Sequence, residues 1–150
     1  QHAEARQIQE DTLARRRRIL GEDHPDTLTS ANGLASILGG LGQHAEARQI
    51  QEDTLARRRR ILGEDHPDTL TSANNLAITL RTLNRHSEAV DLLKDVFVRS
   101  QRVLGPNHPD TARVTRNLAA ALISTGRKYE AQQLTSRKSK KKRRFGRKRR

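Results

Sequence analysis

The chain has 150 residues, a formal net charge of +13 from 30 Lys and Arg against 17 Asp and Glu, 33% hydrophobic residues and no cysteine. Without cysteine there is no disulfide framework, thiolate metal site or cysteine nucleophile, and three aromatics (Phe97, Tyr129 and Phe145) are too few for one large ligand-enclosing core. The charge is uneven: residues 137–150 hold eleven of the basic groups and no acid, leaving a body with 19 basic and 17 acidic groups.

No apolar run reaches the roughly 18 residues of a membrane span, and the N-terminus lacks the basic-then-apolar order of a signal peptide. A cytoplasmic protein is the expectation, with a nuclear location open if the source is a eukaryote. Residues 1–32 recur unchanged as residues 43–74, a period of 42. A third copy keeps the register, with Leu104-Gly105 answering Leu62-Gly63 and His108-Pro109-Asp110-Thr111 answering His66-Pro67-Asp68-Thr69. A fourth opens at Arg127, where RKYEA matches QHAEA and RHSEA. Thirty-two identical residues mark a recent duplication, so their identity carries no functional weight.

In chain order, the apolar spacing predicts helices over 2–20, 25–40, 44–62, 67–82, 86–104 and 109–124, then the start of a shortened one. The helices at 25–40, 67–82 and 109–124 carry Leu34, Ala35 and Leu38, then Leu76, Ala77 and Leu80, then Leu118, Ala119 and Leu122, each set on one helix face. The alternating helices carry Ala47, Ile50, Ile61 and Leu62, and then the more apolar set Ala89, Leu92, Leu93, Val96, Val103 and Leu104. Pro25, Pro67 and Pro109 suit a first helical turn, where a missing N–H costs nothing, and Asp26, Asp68 and Asp110 complement the positive end of the helix dipole. Gly21, Gly63 and Gly105 stand at helix C-caps, and short turns at Gly42, Asn84 and Gly126 make neighbouring helices antiparallel. The fold class is therefore all-α, an array of antiparallel helical hairpins over residues 1–136, with a disordered basic tail at 137–150.

LGEDHPDTLTSANNLA at 62–77, LGPNHPDTARVTRNLA at 104–119 and the Glu-Ala pairs at 46–47, 88–89 and 130–131 resemble the longer, 42-residue tetratricopeptide repeats of kinesin light chain and of the C-terminal arrays of signalling ATPases. The resemblance covers about residues 1–135 and implies an α-solenoid, a superhelix of antiparallel helical hairpins whose first helices line a concave groove for peptides or partner proteins. Two departures stand out: leucines or smaller residues where relatives carry aromatics, and Gln51 where an apolar residue is usual. The chain opens at Gln1 inside a unit, so the array is expected to continue in a longer protein or to stack end to end on another chain.

On the stripe that the resemblance makes concave stand Thr29, Asn32 and Ser36, then Thr71, Asn74, Ile78 and Arg81, then Arg113, Arg116 and Ile123. Asn offers a donor and an acceptor to an extended main chain, and Arg suits a carboxylate. The expected ligand is a protein or peptide, one bearing acids. The Arg runs at 15–18 and 57–60 spread round the helix and stand in its last turns, so dipole and i,i+4 pairing from Asp11 and Asp53 account for them better than nucleic acid does. His24, His66 and His108 recur once per unit, too sparse for a metal site, and are expected to fix the turns. ILGGLG at 37–42 lacks the Lys-Ser or Lys-Thr of a phosphate loop. No nucleophile meets a base, so no enzyme and no cofactor are expected.

Lys140, Lys141, Lys142, Arg143, Arg144, Arg147, Lys148, Arg149 and Arg150 form a charge block that suits polyanions without reading sequence. The primary expectation is a non-enzymatic interaction scaffold. A nucleic-acid-associated protein acting through this tail, and the sensor or oligomerisation end of a larger signalling ATPase, are the alternatives.

Overall fold

Six helices alternate with short turns in the computed structural model, which describes residues 2–134: α1 (His2–Leu20), α2 (Pro25–Gly40), α3 (His44–Leu62), α4 (Pro67–Thr82), α5 (His86–Val103) and α6 (Pro109–Ser124). A seventh, α7, begins at 128 and is helical through 134. The bounds fall where the sequence places them, except that α5 ends one residue early. The charge block from Lys140 to Arg150 lies outside the described residues.

The punctuation works as three repeated devices. His24, His66 and His108 are the N-caps of α2, α4 and α6: each Nδ1 accepts a hydrogen bond from the backbone N–H of Asp26, Asp68 or Asp110, at 3.2, 3.1 and 3.1 Å. The loop histidines thus replace the Ser, Thr or Asp usual at this position, and a proline follows each at the first helical turn. The same helices end in paired reverse bonds, as where Gln43 N–H donates to Leu38 C=O at 2.8 Å and Gly42 N–H to Gly39 C=O at 3.1 Å. This closure needs a left-handed residue, supplied by Gly42 at φ 78° and, in the second copy, by Asn84 at φ 61°.

Each helix packs on the next one along the chain. The first helices of successive hairpins also approach each other: α4 packs on α6, and Asn32 on α2 donates to Ser72 Oγ on α4 at 3.0 Å. Among the described residues no comparable packing joins α3 to α5. The first helices α2, α4 and α6 thus share one face of the array, referred to as its inner face.

The apolar core divides at α3. One cluster gathers Leu13, Ala31, Leu34, Ala35, Leu38 and Ala47, and a larger one runs from Leu55 through α4, α5 and α6 to Ala131. The core-facing stripe of α3 is Ala47, Gln51, Thr54, Leu55 and Arg58, of which three are polar. Gln51 is 4% exposed and its Oε1 has no partner. In α5 the equivalent residues are Leu93 and Val96, both buried. Ile61 and Val103, apolar residues in the last turns of α3 and α5, are each 43% exposed. Ala119 is half-buried, unlike Ala35 and Ala77.

Arg58, 5% exposed, joins three helices. Its Nη1 donates to Asp68 C=O at 3.0 Å and Ser72 Oγ at 2.9 Å on α4, and its Nη2 to Thr29 Oγ1 at 3.3 Å on α2. Burial pushes its pKa down, and the carboxylate of Asp68 partly offsets this. Arg16 makes the equivalent bonds one hairpin earlier, to Asp26 C=O at 2.9 Å and Ser30 Oγ at 2.8 Å.

On the outer side each loop carboxylate grips the second helix of the next hairpin. Asp23 accepts from Arg57 at 2.9 Å and Arg60 at 2.6 Å, and Asp65 from Arg99 at 2.9 Å and Arg102 at 2.5 Å. The position becomes Asn107 in the third copy. Most of the second Arg run is therefore committed: Arg57 also pairs with Asp53 and Arg59 with Glu64. The expected Asp11 to Arg15 pair does not form; Asp11 accepts from the Gln7 amide at 3.1 Å instead.

Replacing the buried amide is expected to stabilise the array. Gln51→Leu, which copies Leu93, should raise the unfolding free energy by about 1–2 kcal/mol, read as a higher urea midpoint at unchanged slope. Acid should act through the loop clamps. Hydrogen bonds from Arg57 and Arg60 hold Asp23 below its ordinary pKa, and those from Arg99 and Arg102 do so for Asp65. The stability they contribute is present above the unfolded carboxylate pKa of about 4 and is lost as pH falls through the lower folded value. Thermal unfolding followed from pH 7 to pH 2 should therefore show a loss beginning near pH 4 that is shallower in Asp23→Asn with Asp65→Asn, and weaker for the parent in high salt.

Candidate functional site

The inner face of α2, α4 and α6 is the surface on which a ligand could lie, and its residues divide into exposed and committed ones. Thr29, Ser36, Arg116 and Ile123 are exposed, while Asn32, Thr71, Ile78, Arg81 and Arg113 are half-buried. Asn74 is 1% exposed.

The asparagines join repeat to repeat. Asn32 uses its Nδ2 on Ser72, and Asn74 Oδ1 accepts from Asn117 Nδ2 at 2.8 Å, so each amide ties one first helix to the next. Buried in that ladder, Asn74 is withdrawn from the surface on which the sequence reading placed it. Ser36 Oγ donates back to Asn32 C=O within α2 at 3.0 Å, and Thr29 accepts from Arg58. Arg81 and Arg116 differ from all of these: among the described residues they make no side-chain hydrogen bond or ion pair, whereas Arg113 is held by Asp110 at 3.0 Å. The free positive charge of the inner face thus sits on α4 and α6. Ile78 and Ile123, the latter 53% exposed, place apolar surface on the same two helices.

The third hairpin departs from the first two at one joint. The place of Arg16 and Arg58 is taken by Ser100, that of Ser30 and Ser72 by Val114, and that of Thr29 and Thr71 by Arg113. The guanidinium has moved from the second helix to the first. What remains is a crevice of about 10 Å³ where α4, α5 and α6 meet, lined mainly by apolar atoms, with Leu70, Leu104 and Val114 beside Asn74, Ser100 and Arg113. Asn74 Nδ2, Ser100 Oγ and Arg113 Nε, on three of its lining residues, are buried and accept or donate no hydrogen bond among the described residues. Reading apolar periodicity alone misses Ser100 and Val114; aligning the three copies position by position exposes the exchange.

The histidines cap helices, and among the described residues no three His, Asp or Glu side chains gather as a metal would require. No described helix is long and apolar enough to cross a membrane.

The family profile described as tetratricopeptide repeat matches residues 1–59 and 29–97, together well over half of the chain. A kinesin-light-chain-like protein of Podosopora anserina with nearly identical TPR-like repeats superposes with a TM-score of 0.86 at 30% identity, over 91% of this chain and 65% of that one. A point-substituted form of that protein gives 0.80 at 31% identity with the same coverage. BtubC (BKLC) of P. vanneervenii superposes with a TM-score of 0.85 over 97% of this chain and 58% of its own, at 20% identity, a likeness of fold alone. The chain thus spans less than two thirds of the length of these proteins, and no curated protein matches it significantly. Repeats of this kind typically form non-enzymatic scaffolds for protein–protein interaction. With its 42-residue period, its paired antiparallel helices and the profile match over residues 1–97, the chain belongs to the tetratricopeptide repeat family, in its kinesin-light-chain-like form.

Proposed function

We propose that the chain is a non-enzymatic scaffold that binds an acid-bearing peptide or partner segment along the inner face of α4 and α6. One observation carries this reading: Arg81 and Arg116 are the arginines of that face left without intramolecular partners among the described residues, beside the apolar Ile78 and Ile123. A guanidinium grips a carboxylate through paired N–H bonds roughly twice as strong as neutral ones, and the neighbouring isoleucines supply the apolar contact that fixes an extended segment. Thr29, Ser36 and Thr71 extend the same surface towards α2 with hydroxyls. Asn32 and Asn74 act indirectly, by setting the spacing of the first helices. In this reading the scaffold acts in the cytoplasm. The tail from Lys140 to Arg150 adds general affinity for polyanions, and end-to-end stacking is the self-association that the repeat pattern favours.

An array of extended peptides, matched in length and varied in acid content, tests the groove. The full chain should prefer the acidic peptides, and Arg81→Glu with Arg116→Glu should weaken them about tenfold or more. A chain ending at Ser136 should keep the preference. If the charge-reversed form binds like the parent while the shortened chain loses binding, the tail carries the affinity and the groove reading is wrong.

A further inference from the structure

We propose that the open face of α1 joins two copies of the chain, with α1 lying antiparallel on α1 of the second copy about a two-fold axis near Thr12. The proposal rests on the end-to-end association above and specifies which end associates and through which residues.

Residues 1–32 and 43–74 are identical, so α3 shows what the α1 sequence does when another helix covers it. There Ile50 packs on the cluster of Leu34 and Leu38, Thr54 is 1% exposed, Arg57 holds Asp23 in the loop before α2, and Arg58 donates to Thr29 on α2. On α1 the same residue types are uncovered: Ile8 is 59% exposed, Arg15 is exposed, and Thr12 and Arg16 are half-buried. Together with Asp11 they line an open hollow of about 270 Å³. This face is therefore built to pack on a helix. The first helices α2 and α4 of a second copy cannot supply it, since their own neighbours pack on both sides of them. The helix that a second copy leaves open is α1 again.

The charges of α1 complement those of another α1. Residues 2–11 carry Glu4, Glu10 and Asp11 against Arg6, and residues 12–20 carry Arg15, Arg16, Arg17 and Arg18 with no acid. Antiparallel packing sets the acidic half of each copy against the basic half of the other and opposes the two helix dipoles. The groups required are not spent within the chain. On α3, Asp53 pairs with Arg57 at 2.8 Å, whereas on α1 Asp11 accepts only from Gln7. Arg15 and Arg18 make no side-chain hydrogen bond or ion pair among the described residues, and Arg16 uses Nη1 alone where Arg58 also uses Nη2. With the axis near Thr12, Asp11 of each copy stands about 3 Å along the helix axis from Arg15 of the other, within reach of its guanidinium. Ile8 then meets the aliphatic stem of that arginine.

Sedimentation equilibrium of the full chain over a range of concentrations tests the joint. The expected result is a reversible dimer, with no larger species, that high salt loosens. Asp11→Arg and Arg15→Asp, both at exposed positions, should each weaken the dimer about tenfold or more, because each sets like charges against one another across the axis. An equimolar mixture of the two variants should restore it, since the basic pair of one then faces the acidic pair of the other, and that recovery shows both variants to be folded. A chain that stays monomeric at every concentration overturns the proposal together with end-to-end association. Association that neither variant weakens, an open series longer than a dimer, or a mixture that behaves as its separate components overturns the α1 joint alone. Peptide binding through Arg81 and Arg116 should be the same in all of these variants, so the groove reading stands or falls separately.

Discussion

A buried guanidinium where three helices meet holds the hairpins of this array in register. Arg58 is 5% exposed, and bringing a charge into such a place is costly unless its hydrogens find acceptors. Here the acceptors come from both neighbours: Thr29 on α2, and Asp68 C=O with Ser72 on α4. The cost of burial thereby becomes a selective constraint on geometry, since a shift of either first helix strands the charge. This fits a scaffold whose apolar core is divided at α3 and built largely from alanine and leucine. In a solenoid each hairpin leans only on its neighbours, so the joints decide whether the array behaves as one unit.

The outer clamps and the inner amide ladder act on the same joints from opposite sides. Asp23 and Asp65 bind the following second helices in solvent, where ion pairs contribute modestly and are screened by salt. Asn32, Ser72, Asn74 and Asn117 bind the first helices to one another through partly buried hydrogen bonds. The inner face is thus not a uniform row of hydrogen-bonding residues. Its amides hold the scaffold, while Arg81 and Arg116 make no side-chain hydrogen bond or ion pair among the described residues.

Much of the fold was legible because its signals are local. The proline after each histidine, the leucine and alanine spacing of α2, α4 and α6, and the glycines at the turns each bear on a few residues, and the helix bounds follow from them. The second helices were harder. Their core-facing stripe on α3 reads Gln51, Thr54 and Arg58, which looks like surface until the third copy is seen to carry Leu93, Val96 and Ser100 in the same places. Ile61 and Val103 are the converse, apolar residues that stand exposed at a helix end. On the first helices, residue type marks a polar stripe but not which of its members are used internally. Asn74 and Arg116 occupy equivalent positions, and only the packing shows that one is enclosed by α6 and the other is not.

The joint can be tested through the coupling between Arg58 and Ser72, measured by a double-mutant cycle of Arg58→Ala and Ser72→Ala on equilibrium unfolding. Two groups bonded at 2.9 Å in a buried joint should show a coupling energy on the order of 1 kcal/mol. The unfolding transition should also become broader when Arg58 is removed, as hairpins separate in stability. Additive effects within error, with a transition as sharp as the parent's, would contradict a joint held by this guanidinium.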